Sequence, residues 1–158
     1  MGIDFNADEV FEIAEQIERN GADFYRTVAN KVTDTDKKQL LNDLAEMEDE
    51  HERTFKNLRS KLSMDEKIQT TFDPEGDSER YLHALANTRV FYEKEIDTGS
   101  LEEILKTAIT AEKDSIVFYL GMKDVIPVHL GKEKLDRIIK EEMGHISLLS
   151  KELLELTK

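Results

Sequence analysis

Apolar residues along this chain recur at alternating spacings of three and four, the pattern of an α-helix that buries one face. The pattern is sustained over four stretches that contain no proline, at about 6–31, 36–62, 100–123 and 132–156. Each stretch is long enough for about seven helical turns. The chain is therefore predicted to be all-α, with four long amphipathic helices.

The lengths of the connections predict how these helices are arranged. Short turns around Thr33 and Pro127 join the first helix to the second and the third to the fourth, whereas about 35 residues separate the two pairs. Short connections make consecutive helices antiparallel neighbours. We expect one domain, a four-helix bundle of two antiparallel hairpins joined by a long crossover, in which 78–91 forms a short extra helix. The expected bounds are about 6–62 for the first hairpin, 63–99 for the crossover and 100–156 for the second hairpin, within the single domain 1–158.

Polar residues that cap helices stand at the predicted helix starts. Asn6 precedes the first helix, and either Asp34 or Thr35 precedes the second. Ser100 precedes the third helix and is followed three residues later by Glu103, the spacing of a capping box.

Six polar residues occupy core-facing positions that are otherwise apolar. They are Glu18, Glu48 and His51 in the first hairpin and Glu112, Glu142 and His145 in the second. Each member of the second set lies 94 positions after its counterpart, and each second Glu forms Glu-x-x-His with the following His. A constant offset indicates an internal repeat, which one isolated Glu-x-x-His would not.

The repeat also predicts that the six side chains meet. Glu18 and Glu48 each lie 15 residues from Thr33, and Glu112 and Glu142 each lie 15 residues from Pro127. Both pairs therefore lie roughly 22 Å from their turns, near the middle of the bundle. If the hairpins pack with pseudo-twofold symmetry, all six side chains share one layer.

Four buried carboxylates require neutralisation, because an isolated buried charge costs several kcal/mol even after relaxation. Protonation is one solution. Two divalent cations are a better one, since four negative charges and two dications sum to zero. Carboxylate oxygens with one imidazole per metal suit iron or manganese, and zinc also fits. Inward-facing Glu residues with two Glu-x-x-His motifs form the ligand inventory of di-iron and di-manganese bundles.

Other candidate residues carry weaker signals. Tyr25 and Tyr119 follow the first Glu of each copy by seven positions. They suit ordinary core aromatics, and they also suit hydrogen bonding to a ligand or local redox chemistry. His83 and His129 have no comparable partners and are expected on the surface or in loops. The charges that flank the motifs are expected to be solvated, at Asp49, Glu50, Glu52 and Glu141. Aromatic residues of the crossover are expected to cover the bundle, at Tyr81, Phe91 and Tyr92.

Composition narrows the function classes. A net charge of −13 argues against nucleic-acid binding, which needs clustered Lys and Arg. The absence of cysteine removes disulfides, thiolate zinc sites and Cys-bound iron within this sequence. The first residues do not contain a basic stretch followed by an apolar run, so no signal peptide is expected. The apolar runs elsewhere are too short to span a bilayer. A cytoplasmic location without membrane contact is expected.

The chain resembles the rubrerythrin branch of the ferritin-like di-iron carboxylate superfamily. The resemblance rests on Glu18-x6-Tyr25, Glu48-x-x-His51, Glu112-x6-Tyr119 and Glu142-x-x-His145, including Glu-Glu-Met-Gly-His at 141–145. It implies a ferritin-like bundle and a peroxide-reducing di-iron site that protects against oxidative stress. It further implies shared ligands at Glu48 and Glu142, terminal carboxylates at Glu18 and Glu112, one nitrogen ligand per metal at His51 and His145, and a homodimer.

Two departures from rubrerythrins bear on activity. Rubrerythrins carry a Cys-ligated rubredoxin domain that supplies electrons, so this cysteine-free chain would need a separate donor such as a rubredoxin. They also have an extra carboxylate one turn after the Glu of the third helix, where this chain has Ser115, the repeat counterpart of Gly21. The resulting six-ligand set resembles a bacterioferritin ferroxidase centre.

Three functions remain open on these grounds. The favoured one is an oxidoreductase that reduces hydrogen peroxide or dioxygen with electrons from an external donor. The second is a ferroxidase of an iron-storage shell, which requires a cage-forming oligomer. The third is a non-enzymatic bundle that binds a partner or a structural metal.

Overall fold

Four long helices form most of the protein that the computed structural model describes, which comprises residues 6–68, Arg80 and residues 100–158. The elements in these ranges are all helical, which confirms the all-α prediction. They are α1 (Ala7–Ala29), α2 (Thr35–Ser60), the short α3 (Met64–Ile68), α4 (Leu101–Met122) and α5 (Glu133–Leu156), with a 3₁₀ turn at Val128–Leu130 before α5.

Three of the long helices begin at the positions that their capping residues predicted. The side chain of Asn6 accepts a hydrogen bond from the Glu9 backbone N–H at 2.9 Å, and the Glu9 side chain accepts one from the Asn6 backbone N–H. Asp34, rather than Thr35, caps α2. The Ser100 hydroxyl accepts from a backbone N–H of the first turn of α4. The four long helices start and end within two residues of their predicted bounds.

The packing is that of two antiparallel hairpins. Helix α1 packs along α2 and α4 along α5, and the hairpins meet where α1 approaches α4 and α2 approaches α5. The start of α1 shares one end of the core with the end of α4, whereas the start of α4 lies at the other end with the start of α2. The end of α2 and the start of α4 therefore lie at opposite ends of the bundle, as in ferritin-like bundles.

Two apolar clusters fill the core, one toward each end of the bundle. The Phe11 cluster includes Phe11, Phe55, Phe118, Tyr119, Met122, Leu135 and Ile138. The Leu44 cluster includes Phe24, Tyr25, Leu41, Leu44, Leu105, Ala108 and Leu149. On every long helix the chain passes from one cluster to the other at the position of a repeated Glu, so the polar layer separates them.

The core-facing positions predicted from the three–four spacing are buried almost throughout. Val32 and Leu101 are half-buried because they lie at the end of the bundle, where they pack against the edge of the Leu44 cluster. The heptad pattern therefore identified the inward face of each helix correctly, including its six polar positions.

The crossover begins with α3, a helix that the sequence pattern did not single out. Ser63 and Glu66 form a capping box, with the Ser63 hydroxyl accepting from the Glu66 backbone N–H at 3.1 Å and the Glu66 carboxylate accepting from the Ser63 backbone N–H at 2.8 Å. The exposed His129 pairs with Glu66 at 2.6 Å, in agreement with its predicted surface position. Except for Arg80, the predicted helix at 78–91 lies outside the described residues, as do His83, Tyr81, Phe91 and Tyr92.

An ion-pair network ties the end of α2 to α1. Arg59 donates to both oxygens of Asp8, at 2.7 and 3.3 Å, and to Glu15 at 3.2 Å. The hydrogen bond from Arg59 is the main reason that the pKa of Asp8 is lowered. The Glu15 residue is only 4% exposed, so the guanidinium of Arg59 supplies the partner that its buried carboxylate needs.

Arg59→Ala is therefore expected to lower the free energy of unfolding by about 2 kcal/mol, because it leaves the buried charge of Glu15 unpaired. Arg19→Ala removes a more exposed guanidinium, 3.0 Å from Glu52, and serves as the control with an expected loss below about 1 kcal/mol. Urea denaturation of the metal-free protein would measure both. Equal losses in the two variants would contradict the importance of the Glu15 contact.

Candidate metal centre

The structure brings all six sequence-predicted site residues into one buried layer. This carboxylate–histidine cluster consists of Glu18, Glu48, His51, Glu112, Glu142 and His145. None of the six is more than 3% exposed. They come from the middle of α1, α2, α4 and α5, as the equal distances from the two turns predicted.

The first half of the cluster surrounds His51. Its Nδ1 lies 3.1 Å from Glu142 Oε1 and 3.5 Å from both Glu18 Oε2 and Glu48 Oε2. One ligand atom from each of these four residues can be chosen so that all lie within 4.8 Å of one another. That spacing suits oxygen and nitrogen atoms around a single ion.

The second half repeats this arrangement around His145. Its Nδ1 lies 2.9 Å from Glu142 Oε2, 3.4 Å from Glu112 Oε1 and 3.9 Å from Glu48 Oε1. The two imidazole rings are nearly parallel, with centroids 5.9 Å apart. Glu48 and Glu142 thus direct one oxygen to each half, whereas Glu18 and Glu112 each face one.

Unpaired atoms within the cluster show that it fits cations. Among the residues that the structure describes, five fully buried atoms of the cluster form no hydrogen bond: both oxygens of Glu48, one oxygen each of Glu112 and Glu142, and Nδ1 of His145. The close approach of His145 Nδ1 to Glu142 lacks the alignment of a hydrogen bond. Buried acceptors of this kind are costly unless a cation or a proton satisfies them. The atoms concerned are hard oxygens and imidazole nitrogens, which suit divalent transition metals.

In the absence of a metal ion, bound protons can offset the negative charge of the four carboxylates. Burial raises the pKa of Glu48 and of Glu142 well above the ordinary value, and the neighbouring carboxylates raise both further. Burial also favours the neutral form of Glu18 and Glu112, but interactions with neighbouring carboxyl groups and histidines outweigh it and lower both pKa values. The two shared carboxyl groups, Glu48 and Glu142, therefore favour the protonated form, whereas Glu18 and Glu112 favour the ionised form.

The two histidines complete this balance. Burial would lower the pKa of each ring, yet the nearby carboxylates outweigh it and raise the pKa of His51 to about 12 and of His145 to about 10. Two imidazolium charges then offset the two ionised carboxylates. Four protons bound in this way would carry the same charge as two dications.

The repeated tyrosines hydrogen bond across the two hairpins. The Tyr25 hydroxyl donates to Glu112 Oε1 and the Tyr119 hydroxyl donates to Glu18 Oε1, each at 2.5 Å. Burial raises both phenol pKa values well above the ordinary value, and the nearby carboxylates raise them further. Both phenols therefore stay protonated, and each orients the terminal carboxylate of the opposite repeat.

Ser115, the position that departs from rubrerythrins, and its repeat counterpart Gly21 lie beside the cluster. The Ser115 hydroxyl donates to the Ala111 carbonyl of its own helix at 3.0 Å. A Cβ added at Gly21 would come within 3.4 Å of Glu48 Oε1, so glycine lets α1 pass close to this carboxylate. Neither position supplies a seventh acidic side chain to the cluster.

One residue of the site was missed by sequence reasoning. Glu141, interpreted as a solvated charge, accepts a hydrogen bond from His51 Nε2 at 2.6 Å. Its position next to Glu142 offered no signal, because the contact depends on how closely α5 approaches α2. The interpretation as solvated charge holds for the exposed Glu50 and for Asp49, which is 34% exposed and pairs with Arg26, whereas the Glu52 side chain is only 12% exposed where it pairs with Arg19.

Comparisons with known proteins agree with this architecture. Residues 3–59, which include Glu18, Tyr25, Glu48 and His51, match the family model described as Rubrerythrin. The chain also superimposes on the crystal structure of a ferritin-like diiron-carboxylate protein from Thermotoga maritima, with a TM-score of 0.72 and 22% identity, covering 98% of this chain and 99% of that one. No curated protein sequence matches the chain.

These findings define the class of the protein: it has the ferritin-like four-helix fold, with a buried carboxylate–histidine cluster at its centre. Residues 3–59, in the first hairpin, are similar to the Rubrerythrin family, as the motifs in that hairpin predicted. Within the described ranges, no helix combines the length and apolar character that a membrane span requires.

The protonation pattern predicts that metal binding releases protons. Filling the cluster with Zn²⁺ at pH 7 should release protons, because the pKa values of Glu48, Glu142, His51 and His145 are raised and a ligand atom must lose its proton before it binds a metal ion. Protons then compete with the metal, so affinity should fall as the pH is lowered from 8 to 6. Calorimetry in buffers of different ionisation enthalpy measures the release, and a net release below one proton would contradict the pattern.

The crossed tyrosine contacts predict matched losses of stability. Tyr25→Phe and Tyr119→Phe should each lower the free energy of unfolding of the metal-free protein by about 1.5–3 kcal/mol, since each removes a hydrogen bond to a buried carboxylate. Urea denaturation would measure the losses, and the double variant tests whether they add. Losses below about 0.5 kcal/mol would show that the phenols act only as apolar packing.

Proposed function

We propose that the carboxylate–histidine cluster holds two metal ions. Glu18 and His51 would serve one ion, Glu112 and His145 the other, and Glu48 and Glu142 both. The observation that carries the proposal is the pair of overlapping four-residue groups that share these two carboxylates. The buried, unpaired oxygens of Glu48 support it, because they lie between the two histidines.

Iron is the metal that the donor set and the comparisons favour. Four carboxylates and two imidazoles give each ion a mainly hard, oxygen-rich environment with one nitrogen. The Thermotoga maritima protein with this fold is described as a diiron-carboxylate protein. Manganese and zinc accept similar donors, so elemental analysis must accompany any activity measurement.

The proposed reaction is the reduction of hydrogen peroxide, or of dioxygen, by an iron pair. Conversion of hydrogen peroxide to two water molecules consumes two electrons and two protons. A bound iron pair would supply both electrons, one from each ion. Because the chain has no cysteine with which to bind an iron donor of its own, a separate protein such as a rubredoxin would restore the electrons.

The residues of the chain suit such a reaction in two ways. The Phe11 and Leu44 clusters close the two ends of the bundle to water, so a solvent-open cavity beside His51 is left as a lateral route to the layer. Tyr25 and Tyr119 keep their protons and hold Glu112 and Glu18 in place. This rigid shell would orient the terminal carboxylates through a redox cycle.

A ferroxidase is the second candidate, and the surroundings of Ser115 favour it. Its hydroxyl bonds within its own helix, so the cluster remains a six-residue set as in the resemblance to bacterioferritin centres. Storage would require a cage of many copies, whereas the rubrerythrin resemblance implies a homodimer. Sizing of the iron-loaded protein distinguishes the two, and a monomer or dimer would exclude storage.

Loading and peroxide challenge under anaerobic conditions test the proposal. The wild-type protein should bind two Fe²⁺ per chain, oxidise them with hydrogen peroxide faster than free Fe²⁺ reacts, and turn over when an external reductant is added. Glu48→Gln should weaken metal binding by at least about 100-fold, because it alters a carboxylate shared by both halves.

Glu50→Gln provides the control for charge, since Glu50 is exposed on the same helix and is not part of the cluster. It should retain two ions per chain. If Glu48→Gln also retains two ions with unchanged affinity, the cluster is a structural feature of a non-enzymatic bundle. If iron binds but reacts with peroxide no faster than free Fe²⁺, the peroxidase proposal fails.

A further inference from the structure

One difference between the two halves of the cluster lies next to the Glu-x-x-His motifs. Glu141 precedes Glu142 in the second motif, and the residue 94 positions earlier, which precedes Glu48, is Met47. The six cluster residues themselves repeat without substitution. Besides Gly21 and Ser115, this pair is therefore a place where the pseudo-twofold symmetry next to the cluster is broken.

Each of these residues contacts the outer nitrogen of a histidine on the facing helix. Glu141 on α5 accepts from His51 Nε2 at 2.6 Å, and Met47 on α2 lies with its Sδ 3.4 Å from His145 Nε2. Both Nδ1 atoms face the carboxylates of the cluster. The equivalent nitrogens thus have a carboxylate partner in one half and a thioether partner in the other.

The chemistry of the two partners is unequal. A carboxylate is a strong acceptor that fixes the proton on Nε2, leaves the Nδ1 lone pair free and makes it a better electron donor. A thioether sulfur is only a weak acceptor. Removal of such an outer partner from a metal-binding histidine typically reduces metal affinity by about 10–100-fold.

From this asymmetry, and on the basis of the proposed two-metal site, we propose that Glu141 is a positioning residue that makes the two metal positions unequal. The position formed by Glu18 and His51 binds its ion more tightly and fills first. The position formed by Glu112 and His145, with Met47 behind its histidine, is the weaker one.

The surroundings of Glu141 make the inference testable without loss of the fold. A cavity of about 500 Å³, open to solvent between α2 and α5, is lined by His51 and Glu141 together with Arg53, Lys134 and Arg137. The Glu141 side chain is 38% exposed. Substitution there leaves room for water to reach the site, so it should not create a buried unpaired group.

Titration of the metal-free protein with Co²⁺ is the experiment, because its visible absorption reports each binding step without redox chemistry. Wild-type protein should bind two Co²⁺ per chain in two steps, with dissociation constants about 10–100-fold apart. Glu141→Met should weaken the tight step by about 10–100-fold and leave the other unchanged. Met47→Glu should strengthen the weak step, and Met143→Leu, at an exposed position on α5 outside the cluster, serves as the control that changes neither.

A proton spectrum of the Co²⁺-loaded protein adds a readout that stability alone would not alter. The bound Co²⁺ should shift the two imidazole Nε2–H resonances to two different chemical shifts. Glu141→Met should change the chemical shift of the resonance that belongs to His51. Thermal unfolding without metal checks that each variant folds. If Glu141→Met does not fold, Met47→Glu alone tests the inference. An unchanged dissociation constant for the weaker binding step in Met47→Glu would then overturn it.

The outcomes separate this inference from the proposed function. Binding of fewer than two Co²⁺ per chain by the wild-type protein would contradict the two-metal site itself. Binding of two ions with equal affinity, or identical constants in the wild-type protein and Glu141→Met, would overturn the role of Glu141 and leave the two-metal site intact.

Discussion

Electroneutrality of one buried layer is the constraint on which this structure depends. Four glutamates and two histidines lie in the middle of a bundle whose core is otherwise apolar. Isolated charges there would cost more than a marginally stable domain can offset. The layer is neutral either with four protons or with two dications and none. Metal loading, protonation and stability are therefore linked at a single place in the fold.

The bundle meets this constraint through its pseudo-twofold symmetry. Each hairpin supplies two carboxylates and one imidazole, and each repeat also orients the other, since Tyr25 donates to Glu112 and Tyr119 donates to Glu18. The apolar clusters on either side hold the helices at the spacing that these contacts require. The same symmetry makes a local exception conspicuous, namely the carboxylate of Glu141 where the other half has the thioether of Met47.

Sequence patterns predicted the helices and the six cluster residues because both follow from local, periodic rules. A three–four spacing defines the inward face of a helix, and equal distances from a turn define a common height. The patterns did not predict α3, although Ser63 and Glu66 have capping-box spacing, since five residues are too few for periodicity to register. Nor did they predict the contact of Glu141, which lies between inward and outward faces, where the approach of the neighbouring helix decides what it touches.

The amino-acid sequence by itself determined the all-α bundle, the inward face of each long helix and the identity of the repeated residues. Only the tertiary structure decided which oxygen faces which histidine, that the tyrosines bond across the hairpins, and that the outer nitrogens of the two histidines have different partners. The physical reason is one of scale. Helical periodicity specifies a side chain's direction within its own helix, whereas a hydrogen bond between helices depends on their relative position to within a few tenths of an ångström.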